Sequence, residues 1–374
     1  MNLKAYILFL LFTFCGLSTF SQNINLTNNS VPFLRISPDA KAGGMGEAGI
    51  ATSADANAAF WNIAKIPFSS QKTSFSVNYS PWLRSIAKDV SLSSFTGYLH
   101  LANGQAISTS LRYFNLGNIQ FTNATGQNIE AFTPREVSVD IGYSKKLGNQ
   151  LGLGVAFRYI NSNLTSASIG GDNYKAGTAF AADVSLFYDA KNTEGEGFNF
   201  GFTASNLGSK IGYSTDASQK DFIPANLGLG TSYTTVLDGS NKLNFALDVN
   251  KLLVPDYKSS GNAQQDQVEL AKHRSYGVVE SWFKPNKSYN GSLGVEYDYN
   301  DMFFLRTGFF YENRNQGNRQ YLTAGLGINY DKFGLNASYI IPIQTTTNIN
   351  PLANTIRLNL IFNLAKSSAP KTEN

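Results

Sequence analysis

The sequence predicts an all-β chain, a 14-stranded antiparallel transmembrane β-barrel preceded by an N-terminal plug or hatch segment, and three observations predict it. Segments of period-two alternation are joined, in strict turn, by a connection of a few residues and by a much longer one. That is the asymmetry of a barrel with tight turns on one side of a membrane and long loops on the other. Many segments alternate over about ten residues, the length a tilted strand needs to cross a bilayer, whereas strands of soluble proteins average about five or six. Tyrosines recur near segment ends, at Tyr79, Tyr143, Tyr159, Tyr188, Tyr299, Tyr311 and Tyr330, where interfacial girdles sit. A soluble β-sandwich shares the alternation but not the other two features.

The chain begins with Lys4, an apolar run from Ala5 to Leu17, and small residues at Ser18 and Ser21. This is expected to be a cleaved secretory signal, residues 1–21, because the run is too short to span a bilayer. The sole cysteine, Cys15, lies inside it, with Phe14 and Phe12 where a lipoprotein signal carries a small and an aliphatic residue. The mature chain is therefore expected to have no disulfide, zinc–thiolate site or cysteine nucleophile. Residues 22–72 form the expected hatch. It contains Gly43-Gly44-Met45-Gly46-Glu47-Ala48-Gly49, whose glycines permit close backbone packing, and then Ser53 to Lys65, where small residues surround the bulky pair Phe60-Trp61 before Asn62. As a phosphate loop the glycine run fails: no Lys-Ser or Lys-Thr follows at the required spacing and no strand precedes it.

The barrel is expected over residues 73–364. Its strands are Thr73–Ser80, Val90–Leu101, Gln105–Leu116, Arg135–Lys146, Leu151–Asn163, Ala176–Asp189, Gly197–Asn206, Ile223–Leu237, Lys242–Leu252, Ser288–Tyr299, Met302–Asn313, Gln320–Tyr330, Phe333–Ile341 and Asn354–Leu364. The tight turns at Ala102-Asn103-Gly104, Leu147 to Gln150, Ala190 to Glu196, Asp238 to Asn241, Asn300-Asp301 and Asp331-Lys332 are rich in Gly, Asn and Asp, as hairpins demand. Parity decides the ambiguous stretch Lys272 to Phe283: as a strand it would put two short turns on the long-loop side, so Val254 to Lys287 is expected to be one loop. Residues 365–374 are expected to be a polar periplasmic tail.

Basic and acidic residues number 30 and 26 and are interspersed, so no basic face for nucleic acid is expected. Charged residues are 15% of the chain against 13% aromatic, and no apolar run after the signal is long enough for a spanning helix. Once the apolar face of each strand is turned to lipid, the inward face carries Arg112, Asp140, Arg158, Asp183, Asp248, Glu296, Asp298, Arg306 and Arg357. Both signs occur, which predicts a mutually paired lumen network in preference to a selectivity path. The two histidines, His100 and His273, have no nucleophile or metal-ligand pattern around them and are expected to be ordinary surface residues. No catalytic group, metal or cofactor is expected, and hence no enzymatic activity.

The Gly-Gly-Met-Gly-Glu-Ala-Gly run followed by Ala-Phe-Trp-Asn resembles the hatch of the FadL-type family of outer-membrane barrels, which move hydrophobic compounds. A closer resemblance, to the PorV family of type IX secretion, rests on three blocks. These are Ile36-Ser37-Pro38-Asp39-Ala40; Glu296-Tyr297 through Arg306-Thr307-Gly308 with Glu312, Gly317, Asn318 and Arg319; and Pro351-Leu352-Ala353-Asn354-Thr355-Ile356-Arg357. It covers essentially the whole mature chain, although the hatch motif by itself is specific only to the superfamily. Two departures stand out: Ile63 follows Asn62 where FadL-type hatches continue with proline, and the chain does not end on an aromatic residue.

The resemblance implies a bacterial outer-membrane carrier with both termini periplasmic, surrounded by outer-membrane lipid. It would sit beside the large type IX translocon barrel, bind secreted cargo through the cargo's C-terminal signal domain, and deliver it to an attachment complex with a sortase. The candidate partner surface is the long loop, where Val278/Trp282 and Val279/Phe283 make one apolar stripe if the stretch is helical; folding back over the mouth as a lid is the alternative. Asn115 to Phe132 and Pro342 to Pro351 would add edge contacts to a β-rich cargo. The rival reading, transport of hydrophobic small molecules such as fatty acids, predicts an apolar pocket under the hatch and a lateral opening.

Overall fold

The computed structural model describes residues 29–82, 87–122, 125–165, 168–169, 172–214, 219–256, 260–313, 317–343 and 355–366. The expected signal with Cys15, nearly all of the expected tail, most of Pro342 to Pro351 and all of Pro351 to Asn354 lie outside these residues.

Fourteen strands form one closed antiparallel barrel. They are β1 (Gln71–Pro81), β2 (Val90–His100), β3 (Gln105–Leu116), β4 (Arg135–Lys146), β5 (Leu151–Asn163), β6 (Gly177–Asp189), β7 (Gly197–Gly208), β8 (Asn226–Val236), β9 (Asn241–Leu252), β10 (Tyr289–Tyr299), β11 (Phe303–Glu312), β12 (Gln320–Tyr330), β13 (Phe333–Pro342) and β14 (Ile356–Lys366). Each pairs with its sequence neighbour, and β14 closes on β1 with Val77 opposite Leu360. Closure leaves no free edge and pairs the backbone within the wall, which hydrocarbon requires.

Where strand ends depart from the alternation, local chemistry explains them. β8 starts at Asn226 and not at Ile223, because Pro224 has no N–H for a ladder and the Ala225 N–H turns back to the Ile223 carbonyl. β7 runs on to Gly208 through a bulge, where Leu207 and Ala204 pair with Ala182 and Val184 of β6 and the intervening Asn206 takes a left-handed conformation (φ 56°). β14 extends to Lys366, two residues into the expected tail. The tightest turns have the positive φ of type I′ hairpins, 59° and 67° at Asn103-Gly104 and 59° and 54° at Asn300-Asp301.

The wall is inverted relative to a soluble protein. Ile141, Phe157 and Phe180 are 69%, 73% and 66% exposed and face outward, as do all seven girdle tyrosines, while serines, asparagines and charges are buried inside. The lumen is filled by the residues ahead of β1. These include a 3₁₀ turn (Pro32–Arg35), helices α1 (Ala40–Gly44) and α2 (Ala58–Trp61), and a second 3₁₀ turn (Ile63–Phe68). Among the long connections, 117–134 holds a small hairpin, Ile119–Thr122 paired with Asn128–Phe132, and 253–288 holds helices α3 (Ala263–Ser275) and α4 (Val278–Trp282).

Candidate functional site

The hatch threads the barrel from end to end. Ser30 donates its N–H to the Phe222 carbonyl at the long-loop end, and Val31, Phe33 and Leu34 join Trp82, Phe114 and Ile160 in an apolar seal there. The first described residues therefore lie at the long-loop end. The chain then descends to Ile66, whose carbonyl meets the ring of His100, and Phe68, which packs on Phe187 near the short turns. From Val31 to Ser69 only Pro32 and Ser53 are exposed; the rest are buried or half-buried.

Inward-facing strand glycines make this fit possible. A Cβ at Gly308 would collide with the backbone of Met45 and Gly46, one at Gly154 with Ile63, one at Gly201 with Ile50, and one at Gly325 with Gly44. The hatch glycines answer in kind: a Cβ at Gly43 would meet Arg357 at 2.7 Å, and Gly46, at φ +66°, lies against the backbone of Phe309. Met45 is wholly buried and packs with Ala48 and Ala246.

Polar contacts fix the register of hatch against wall. Asp248 accepts the N–H groups of Gly49 (2.7 Å) and Ile50 (2.9 Å), and the Ala51 carbonyl accepts Ser232 Oγ (2.8 Å). Asn62 caps the second 3₁₀ turn by accepting Ala64 N–H at 3.0 Å and donates to the carbonyls of Ile50 (3.1 Å) and Leu186 (3.0 Å), so Ile63 is accommodated without the family's proline. Trp61 Nε1 donates to Asp39 at 2.6 Å, and the Phe60 ring stands edge-on to Trp61 and beneath the guanidinium of Arg112. Buried Lys65 donates to the Gly49 carbonyl at 2.6 Å, and desolvation lowers its pKa to about 8.

The inward charges divide into clusters. Arg158 pairs with Asp140 and, at 2.9 Å, with Asp183; Arg112 reaches Asp140 at 3.5 Å; Arg306 pairs with Glu296 at 2.6 Å. Arg357 binds a hatch residue, Glu47, at 2.6 Å, and Tyr321 donates to the same carboxylate at 2.9 Å. Two of the nine positions stand outside such pairs. Asp248 is occupied by hatch N–H groups, and Asp298 lies beside a short turn, where it accepts the Asp301 N–H at 2.8 Å. Sequence reasoning missed Glu47 as a partner, and it missed Glu312, which takes Arg319 at 2.6 Å and Arg35 at 3.2 Å. The histidines also differ from expectation: His273 is buried, edge-on to Phe222, and His100 is engaged with the hatch.

Between the hatch and the outer mouth lies a small chamber of about 100 Å³. Five arginines line it (Arg35, Arg112, Arg158, Arg319 and Arg357), with Glu47 and Asp183 as the lining carboxylates. Outside, the loop 253–288 is clamped to its neighbour by Arg274, which binds Asp221 at 2.6 Å, and by Lys210, which donates to the carbonyls of Arg274 and Tyr276. The expected stripe splits on α4 and its cap. Val278 and Trp282 are half-buried, whereas Val279 and Phe283 are 60% and 83% exposed.

The family model for the type IX secretion system protein PorV matches residues 19–259, more than half of the chain. No curated protein matches it significantly. Among solved structures, the toluene transporter TbuX of Ralstonia pickettii is 11% identical, with 89% of this chain and 98% of that one covered and a TM-score of 0.52. The toluene transporter TodX of P. putida is 12% identical, with 89% and 99% covered and a TM-score of 0.50. A ΔS2S3 mutant of the TodX monoaromatic hydrocarbon channel is 10% identical, with 87% and 99% covered and a TM-score of 0.54. Likeness at such identities is a likeness of fold.

Proposed function

This chain belongs to the PorV family of type IX secretion system proteins, an outer-membrane β-barrel, and from that premise we propose that it is a cargo carrier. It receives secreted proteins by their C-terminal signal domain beside the large translocon barrel and delivers them to the attachment complex with its sortase. The task is one of recognition and needs no catalytic group in this chain.

The observation that carries this reading is the filled lumen. Among the described residues a hatch hydrogen-bonded to the wall over its whole height fills the lumen, which favours work at the outer surface. There α4 presents Val279 and Phe283 from a loop held in place by Arg274 and Lys210, an apolar pair on a rigid base. The hairpin in 117–134 adds a short sheet to which a β-rich domain can pair. The rival, passage of a hydrophobic small molecule, draws its support from the likeness in fold to toluene transporters, but a chamber lined by five arginines suits an uncharged hydrocarbon poorly.

The deciding experiment is a pull-down of the tagged native protein from mild detergent, with mass spectrometry of what accompanies it. A large barrel translocon, a sortase, or secreted proteins sharing a C-terminal domain are the expected companions. Recovery of the barrel alone with a fatty acid in its lumen would replace the carrier by the transporter.

A further inference from the structure

The chamber above the hatch has an excess of donors. Arg112 and Arg357 are each about 1% exposed, yet among the described residues Nε of Arg112 and both Nε and Nη1 of Arg357 have no acceptor. Their other nitrogens are occupied: Arg112 donates Nη1 to the Leu34 carbonyl at 3.2 Å and Nη2 to Asp140 at 3.5 Å, and Arg357 donates Nη2 to Glu47 at 2.6 Å. The hydroxyls of Ser37 and Ser292 on the same lining are also without partners among the described residues, whereas both lining carboxylates, Glu47 and Asp183, are already paired with arginines.

Charge points the same way. The five lining arginines face Glu47 and Asp183, and two further carboxylates, Asp140 and Glu312, pair with them from behind, so five positive charges meet four negative ones. A guanidinium held out of water with unmet N–H groups is unfavourable, and a carboxylate or phosphate oxygen is its best partner. The lining is not closed all round: Asn226, Asn250 and Asn290 on β8 to β10 are half-buried, as are Arg35 and Arg319.

We propose that this chamber is an oxyanion site, in which Arg112 and Arg357, with the hydroxyls of Ser37 and Ser292, bind a carboxylate or phosphate group. The group belongs either to a small free acid or to the carboxylate end of an extended peptide entering from the outer mouth; the recognition chemistry is the same.

Trp61 and Trp82 line the chamber and report on it. In the full-length folded barrel, Trp282→Phe leaves these two as the fluorophores, since the chain has three tryptophans. Fluorescence is followed against inorganic phosphate, acetate, a short peptide with a free C-terminal carboxylate and its amidated twin, at ionic strength fixed with chloride. A saturable response to phosphate or acetate, or to the peptide acid over the amide, is expected. Tighter binding of the acid than of acetate identifies a chain end, and equal binding identifies a small acid. Asn290→Asp adds a negative charge at the half-exposed rim and should weaken binding about tenfold or more without moving the unfolding midpoint. No saturable response to any probe, equal binding of acid and amide peptides without phosphate or acetate binding, or indifference to Asn290→Asp would each overturn the proposal.

Discussion

At the scale of single residues, Glu47 is the link on which the hatch and the last strand converge. Its carboxylate takes Arg357 from β14 and Tyr321 from β12, and all three side chains are buried or nearly so. Removing one member of such a pair leaves the other charge stranded, so Glu47→Gln should cost about 3–5 kcal/mol, read as a lower unfolding midpoint in detergent. Arg357→Leu should act in the same direction, and an unaltered midpoint in both variants would contradict the pairing. Lys65 gives a pH signature. Burial sets its folded pKa at about 8, below its ordinary 10.5, so between these values the folded protein has released a proton that the unfolded chain keeps. Stability from this group therefore rises as pH climbs from about 8 to 10.5 and is flat below that window. The increment should be absent from Lys65→Met and so appear in full in the difference between wild type and that variant. None of these partnerships was legible beforehand, because alternation says which way a side chain points but not what the hatch brings to meet it. Asp248 shows this well: it is wholly buried, and its partners are backbone N–H groups of the hatch.

At the scale of elements, alternation served best where both faces are constrained. β3, β4, β5 and β12 begin and end where the pattern places them, because lipid on one side and the packed lumen on the other leave no register free. It failed at Pro224 and at the Asn206 bulge, where a missing N–H or a left-handed residue overrides periodicity. A signal went unread as well: Gly154, Gly201, Gly308 and Gly325 fall at inward strand positions, and they mark the line along which the hatch touches the wall. Gly308→Val should unseat the turn at Met45-Gly46 and expose Lys41 and Lys65 to trypsin in the folded barrel; a digest like that of wild type would show that the wall yields instead. On α4, Val279→Ser with Phe283→Ser should weaken cargo capture several-fold while heat-modifiable migration on gels persists. Capture at the wild-type level would remove this helix from the docking surface.

At the scale of the whole molecule, turn chemistry and loop parity carried the strand count, the closed sheet and the inside–outside polarity. The course of the hatch was not legible, because small residues and glycines announce close packing without saying where. A barrel filled in this way should pass no steady current in a planar bilayer, and deleting residues 31–69 should open it. Equal conductance of the two proteins would mean that water already runs past the hatch.

The hatch also holds both sides of the seam where the sheet closes. Asn57 accepts Asn78 of β1 and Thr96 of β2, while Glu47 holds Arg357 of β14, 310 residues away along the chain. Joining the first strand to the last is the costliest loop closure in the molecule, and nothing in the wall itself brings those two strands together early. A segment made first and gripped by both ends acts as an internal template: the final hairpin docks on a surface already waiting beside β1, and completion of the ring becomes a local event. The same side chains that shut the channel would then decide whether the circle closes at all.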